Sequence, residues 1–469
     1  MHSVKHVLVA LILVPLSFSF PCQAQQPVAR LAAATAGPVP PTTSRETGGS
    51  FDPSNTDWPT PVHPFPQHSP YQEGTILPNH ISQEEMDDSV QSFYRGWKQH
   101  YIKAGCKEGE AYIWFEGTKG TNICVSEGQG YGMVIVALMA GHDSSAQQTY
   151  DSLYRFYKSH PSQSSPYLMA WTQKKDCLSL DGGTATDGDM DIAYSLLLAD
   201  AQWGRHSNIP YKQDALAMIS AIRQQEINPL TYIVMEADGA SPRSKDYYDM
   251  RSSDFMPDHL RAFREASGDP FWDSVINNNY RIFRYLQDTY SPESGLVPDF
   301  IKHIEVDTNT FAYPAQPNYL ESRYDGVYNF NACRVPWHIS TDYLISGDPK
   351  AAAFLSRINT WIRTTTKGNP DNISAGYNLS GEDLPHRYFE ALCFICPFAV
   401  AAMASADNQD WLNKLWDYTV HFRLKDFDYY DNSIKMLDMI ILSGNYWTPK
   451  AAGNVQRDYP SQGRAELSK

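Results

Sequence analysis

The sequence predicts an all-α protein, an (α/α)6 barrel of six antiparallel helix pairs. Apolar residues recur at helical spacing in twelve segments between residues 82 and 443. Some segments, such as 391–403, are apolar on more than one face, which is typical of helices enclosed by a ring of others. Ser267–Pro270 and Ser346–Pro349 both read Ser-Gly-Asp-Pro, a helix stop followed by a helix start, so consecutive helices should be antiparallel neighbours. Because no strict repeat period is present, a superhelical solenoid is disfavoured.

The first predicted helix starts after the capping box Ser82-Gln83-Glu84-Glu85 and extends to about residue 104. Long polar insertions at 160–187, 227–254 and 289–331 should gather at one end of a barrel and form a cleft. The other eleven predicted helices are 129–141, 145–159, 188–203, 213–226, 255–267, 270–288, 332–347, 349–367, 388–405, 408–421 and 431–443.

Residues 1–24 have the features of a signal peptide. A basic start is followed by an apolar run, Val7 to Phe20, too short to span a membrane, and by a small-residue cleavage site ending at Ala24. We therefore expect a secreted protein, extracellular or periplasmic, with no membrane association after cleavage. Residues 25–73, rich in Pro, Ala and Thr, predict a flexible leader; 74–450 form the barrel, and 451–469 a polar C-terminal tail.

Six cysteines follow the signal peptide, and export permits disulfides. Cys106 and Cys124 flank a short polar loop and are predicted to pair. Cys393 and Cys396 have metal-ligand spacing, but no second ligand pair is nearby, so buried thiols or a strained disulfide are expected instead. No metal site and no cofactor are predicted.

The composition narrows the function. A net charge of −15 without a basic stripe argues against a nucleic-acid partner. An aromatic content of 13% suits stacking on sugar rings, although an aromatic core is the alternative explanation. The sequence has no nucleophile elbow, phosphate loop or zinc-protease helix. Nothing indicates a partner chain, and a monomer is expected.

Two acidic constellations remain as candidates for chemistry. Asp187, Asp189 and Asp191 alternate at the start of a predicted helix, where mutual repulsion makes three carboxylates costly for stability alone. Glu127 lies at another helix start, among three glycines that are expected only where a backbone or ligand comes close. Two carboxyl groups across a cleft, one acid and one base, are the minimum for glycoside hydrolysis. Helix capping is the alternative role.

Both constellations carry a family resemblance. Ala185-Thr186-Asp187-Gly188-Asp189 with Ile192-Ala193 and Trp203 matches the signature of glycoside hydrolase family 8, and Ser126–Met133 resembles the segment with that family's general acid. The likeness extends from about Pro66 to Trp447. It implies an (α/α)6 barrel, no metal, inversion at the anomeric carbon and internal cleavage of β-1,4-linked polysaccharides.

The resemblance also implies residue roles. Glu127 would be the general acid, and Asp187 would hold and distort the sugar at the scissile position. Arg334 would pair with carboxylates and Trp171 would stack on a sugar. Tyr131, which belongs to the acid segment, is a further substrate-binding candidate together with Arg334 and Asn331. Asp189 and Asp191 are expected to cap their helix.

The general base departs from the commonest family pattern. Many members have an Asp three residues before the arginine, whereas this chain has Asn331, which cannot accept a proton. A branch resembling Bacillus-type chitosanases and some glucanases also has Asn there and takes its base from a loop Glu. Glu321 is the matching residue, with Asp325 as the alternative base. If neither serves, the chain would be a non-catalytic glycan-binding protein.

The substrate expectation favours chitosan slightly. A strongly acidic protein attracts a cationic polysaccharide, and Asp254 lies where chitosanase-like relatives carry an Asp that could pair with an amino group. An endo-β-glucanase acting on lichenan or a cellulose-type glucan is the alternative, because many such enzymes are acidic too.

Overall fold

The computed structural model describes residues 60–116, 122–244, 246–304 and 312–449. The predicted signal peptide, most of the predicted leader and the C-terminal tail lie outside these ranges. The described residues form twelve α-helices: α1 Gln83–Tyr101, α2 Ser126–Leu138, α3 Ala146–Ser159, α4 Thr186–Trp203, α5 Tyr211–Gln225, α6 Pro257–Ser267, α7 Phe271–Thr289, α8 Val335–Ser346, α9 Pro349–Thr365, α10 Leu392–Ala402, α11 Gln409–His421 and α12 Tyr429–Leu442.

The even-numbered helices form a closed inner ring. Helix α2 packs on α4, α4 on α6, α6 on α8, α8 on α10, α10 on α12, and α12 returns to α2. Each odd-numbered helix covers one member of this ring: α3 packs on α2, α5 on α4, α7 on α6, α9 on α8, α11 on α10, and α1 on α12. The predicted (α/α)6 barrel of six helix pairs is confirmed.

Burial follows the two layers. Every residue of the inner helix α10 is buried, including Cys393 and Cys396, whereas the outer helix α1 buries one face. The Ser-Gly-Asp-Pro links behave as predicted, since Gly268 and Gly347 end α6 and α8 in the left-handed conformation that glycine adopts without a Cβ penalty.

Predicted helix ends agree with the structure to within three residues except at the start of α10, and two of the larger differences have local causes. Helix α1 stops at Tyr101, because residues 102–104 pair with 111–113 as a strand. Helix α10 starts at Leu392 rather than 388, since Phe389 bridges to Ser374 and Glu390 has a positive φ.

Short strands shape the connections on which the site is built. They form three antiparallel sheets, the first from β1 and β2, the second from β3, β4 and β5, and the third from β6, β7 and β8. Their bounds are β1 Ile102–Ala104, β2 Ala111–Ile113, β3 Asn122–Val125, β4 Thr172–Lys174, β5 Ser179–Asp181, β6 Met250–Arg251, β7 Phe300–Lys302 and β8 Tyr313–Pro314.

The end of the predicted leader is part of the folded body. Phe65 N–H donates to Ala140 O, Ser69 N–H to Gly444 O, and Gln72 N–H to Leu344 O. These bonds tie residues 60–73 to the ends of inner helices, so the boundary predicted at residue 74 is too late. Within the described ranges, no helix has both the length and the apolarity needed to cross a membrane.

The predicted Cys106–Cys124 disulfide is wrong, and Cys106 pairs with Cys177 instead. Cys124 lies on β3 with its Sγ buried against Gln129 Oε1 at 3.5 Å. The turn between β4 and β5 brings Cys177 to Cys106, with 6.0 Å between their Cα atoms. Cys393 and Cys396 are buried free thiols, one of the two predicted alternatives, and no cluster suited to a metal occurs among the residues described.

Candidate active site

Two inner helices bring the principal carboxyl groups together. Glu127 is the second residue of α2 and Asp187 the second of α4. The helix starts approach so closely that a Cβ on Gly188 would lie 2.5 Å from the Ser126 carbonyl carbon, and one on Gly130 would lie 2.5 Å from Asp191 Cβ. The glycines around Glu127 are therefore explained by backbone packing, which places both carboxyls at one end of the barrel.

The buried side chain of Arg334 donates hydrogen bonds to both Glu127 and Asp187. Its side chain is only 1% exposed. Its Nη1 donates to Glu127 Oε2 and Asp187 Oδ2, both at 2.9 Å, and to Tyr131 Oη at 3.1 Å. Its Nη2 donates to Ser253 Oγ and Asn331 Oδ1. The planar guanidinium therefore holds Glu127 and the four other partner side chains in one arrangement.

Glu127 has the environment of a proton donor. Burial raises its pKa to about 7, against the lowering effect of Arg334 and a hydrogen bond of 3.2 Å from Tyr429 Oη. The negative charge of nearby Asp187 contributes to this raised pKa. The side chain is still 19% exposed, so its proton can be donated into the cleft at neutral pH.

Asp187 has the opposite ionisation. Burial alone would raise its pKa, but Arg251 and Arg334 hold the pKa below its ordinary value. Its Oδ1 accepts from Gly188 N–H at 2.8 Å, and its Oδ2 faces both arginines. It is therefore a fixed carboxylate beside the protonated Glu127. This difference suits the positioning role predicted for Asp187.

Glu321 lies on the other side of Asn331. Its Oε2 accepts from Asn331 Nδ2 at 2.8 Å, and its Oε1 lies 3.4 Å from Arg251 Nη2. Glu321 is 31% exposed, which leaves room for a water molecule to approach it. Asn331 thus bridges Arg334 and Glu321. Residue 331 itself has no carboxylate, but the carboxylate of Glu321 lies next to it.

Asp325 serves the loop rather than the cleft. It is buried, and its two oxygens accept from the backbone N–H groups of Leu320, Glu321 and Ser322 at 2.7–3.1 Å. A carboxylate engaged in this way shapes the turn that presents Glu321. Its position therefore favours Glu321 over Asp325 as the base.

The remaining predicted binding residues differ in exposure. Trp171 is partly exposed, and its carbonyl accepts from Ser126 N–H at 2.9 Å, next to Glu127. Tyr131 is fully buried under Arg334. Asp254 is also fully buried, 3.5 Å from Arg251, and burial raises its pKa well above the ordinary range. Tyr131 and Asp254 therefore offer no surface to a substrate in this structure, and act beneath the cleft.

The expected capping role of Asp189 and Asp191 is wrong. Helix α4 has no side-chain cap. Asp189 accepts from Met169 N–H at 2.8 Å, and Asp191 lies 3.0 Å from His259 Nε2. Both side chains link α4 to neighbouring segments instead.

Three further polar residues were absent from the sequence prediction. Arg251 at the end of β6 lies between Asp187, Asp254 and Glu321. Tyr429 contacts Glu127, and Gly128 leaves room for its ring. Burial raises the pKa of Glu236 to about 7, and it receives a hydrogen bond from Tyr319. These residues come from distant segments without a recognisable motif, so no signal in one sequence points to them.

A family model for glycosyl hydrolases of family 8 matches residues 87–444. This range includes all the carboxyl groups described above. The chain belongs to glycoside hydrolase family 8. It is therefore a glycoside hydrolase, and the mechanism of this family is inverting.

Three similar proteins are named as glucanases or endoglucanases. A β-glucanase from Niallia circulans is 42% identical over 397 residues, covering 84% of this chain and 94% of the relative. An endoglucanase from Bacillus sp. strain KSM-330 is 37% identical, covering 83% and 82%. The apo structure of a β-1,3-1,4-glucanase from Paenibacillus sp. X4 matches with a TM-score of 0.77 and 43% identity, over 82% of this chain and 99% of that one.

These comparisons support endo-acting hydrolysis of a polysaccharide. They favour the glucanase alternative over the chitosan preference, since the similar proteins above are named as glucanases or endoglucanases. The buried position of Asp254 removes the structural reason for that preference.

Proposed function

We propose that this family 8 enzyme is a secreted endo-β-glucanase that hydrolyses a neutral, lichenan-type β-1,3-1,4-glucan. The geometry of the site is the observation that supports the catalytic roles. Glu127 is kept protonated beside the carboxylate of Asp187, and Glu321 is presented by Asn331 on the far side of Arg334. In an inverting hydrolase, one carboxyl protonates the leaving oxygen and the other activates water on the opposite face of the sugar.

The role of each residue follows from its environment. Glu127 donates its proton to the glycosidic oxygen. Glu321 removes a proton from the attacking water. Asp187 accepts hydrogen bonds from the sugar at the scissile position, and Trp171 stacks on a neighbouring sugar.

A neutral substrate suits the charges near the reacting position. Arg251 and Arg334 both lie against Asp187, and each would repel the ammonium groups of chitosan. The overall charge of −15 would favour chitosan at long range, but it does not select between sugars at the cleavage point. The glucanase relatives add weight to the neutral choice.

Secretion is part of the proposal. The Cys106–Cys177 disulfide is expected in an oxidising compartment and is unusual in the cytosol.

The test is a release assay for reducing ends on four polymers: mixed-linkage glucan, carboxymethylcellulose, chitosan and xylan. We expect the highest kcat/KM on mixed-linkage glucan, at least about tenfold above that on chitosan, with Glu127→Gln as the inactive control. Faster hydrolysis of chitosan than of any glucan would refute the substrate assignment.

A further inference from the structure

Two buried carboxyl groups face each other beneath the cleft. Asp189 of α4 and Glu226 at the end of α5 are both fully buried, and their carboxyl groups lie close enough to interact directly. Asp189 Oδ1 accepts from Met169 N–H, and Glu226 Oε1 accepts from Thr184 Oγ1 at 2.6 Å. Asp189 Oδ2 and Glu226 Oε2 meet no N–H or O–H donor among the described residues. A proton held between the two carboxyls would satisfy both oxygens.

The charged groups that act most strongly on the pair are negative. Asp238 of the 227–254 insertion faces both carboxyls and Asp187 faces Glu226, and each adds negative charge. Tyr157 of α3 adds only a phenol. Two ionised carboxyls buried in this setting would carry a prohibitive desolvation cost. Burial accordingly raises the pKa of Glu226 to about 7 and the pKa of Asp189 well above its ordinary range.

The pair lies where three site segments meet. Met169, held by Asp189, is two residues before Trp171, whose carbonyl is bonded to Ser126 N–H next to Glu127. Asp189 itself is two residues after Asp187. Thr184, held by Glu226, also accepts from Asp238 N–H at 3.0 Å. A change in the pair would therefore move Trp171 and Asp187 relative to Glu127.

We propose that Asp189 and Glu226 share a proton, and that this carboxyl pair positions Asp187 and Trp171 for catalysis. They are positioning residues, since neither reaches the cleft surface. The positioning part rests on the proposed glucanase activity, whereas the shared proton does not.

The shared proton is tested by unfolding in urea between pH 6 and 9. The folded protein holds the shared proton and releases it on unfolding. For each pH unit, the unfolding constant of the wild type should therefore rise about tenfold more than that of Asp189→Asn. In Asp189→Asn, the new side-chain amide donates a hydrogen bond to Glu226, so no shared proton is needed. Glu226→Gln makes the same change from the other side and should have the same reduced slope. If either variant folds and its unfolding constant depends on pH as steeply as that of the wild type, the shared proton is overturned.

The positioning role is tested with Glu226→Gln and Glu226→Ala on mixed-linkage glucan at pH 6. The glutamine can keep the hydrogen bond to Asp189, so its kcat should be at least about tenfold above that of the alanine variant. Equal kcat values would overturn the positioning role. Inactive wild type would refute the proposed function instead, and the unfolding slopes would still report on the proton.

Discussion

Asn331 donates a hydrogen bond of 2.8 Å to Glu321 and accepts one of 3.1 Å from Arg334. Through these two bonds, a residue that cannot act as a base orients one that can. Arg334 holds Glu127 and Asp187 in turn, so acid, positioning carboxylate and base belong to one network around a buried guanidinium.

Asn331→Asp should shift the pH dependence. It would place a second carboxyl within hydrogen-bond distance of Glu321, and adjacent carboxyls do not both ionise readily. The acidic limb of kcat/KM should therefore move to higher pH by about one unit. Asn331→Gln, which adds no charge, is the control for altered shape, and an unchanged limb in Asn331→Asp would contradict the contact.

Glu127→Gln should lower kcat on glucan by about 10²–10⁴-fold, because the leaving oxygen loses its proton donor. An aryl β-glucoside with an acidic phenol leaving group needs no such proton and should lose much less. Glu84→Gln, at an exposed position on α1, should leave both rates unchanged. Equal losses on the two substrates would show that Glu127 is not the acid.

Tyr429→Phe should extend activity to higher pH. The acid works only when protonated, so activity falls as pH rises through the Glu127 pKa of about 7. The hydrogen bond from Tyr429 lowers that pKa, and its removal should move the alkaline limb upward. Tyr154→Phe removes a hydroxyl on the outer helix α3 and should leave the limb in place. A downward shift in Tyr429→Phe would contradict this account.

The Cys106–Cys177 disulfide should join two peptides in a non-reducing digest analysed by mass spectrometry. Cys106→Ser should lower the free energy of unfolding by about 2–4 kcal/mol, since the bond closes a loop with a sequence separation of 71 residues. Detection of a Cys106–Cys124 peptide would restore the pairing expected from sequence.

The sequence was most informative where a physical pattern is repeated. Apolar faces and the Ser-Gly-Asp-Pro links predicted the helix pairs, because each signal depends on residues close in the chain. Glycines around Glu127 predicted a close approach, which the structure shows between α2 and α4.

Contacts between distant segments were less accessible. Cys177 meets Cys106 because a β-turn places it there, and Asp189 meets Glu226 across two helices. The buried Asp254 lies in a single turn of 3-10 helix, Ser252–Asp254, which no periodic sequence pattern predicts. Such contacts depend on how elements pack, which one sequence does not encode in local spacing.

We propose Glu321 as the base opposite Glu127. The most direct measurement is the reaction of Glu321→Ala with azide on an activated β-glucoside. Azide can occupy the position of the missing carboxylate and its water, so we predict a large loss of hydrolysis, recovery with azide and an α-glycosyl azide product. Hydrolysis by Glu321→Ala at the wild-type rate would contradict the claim.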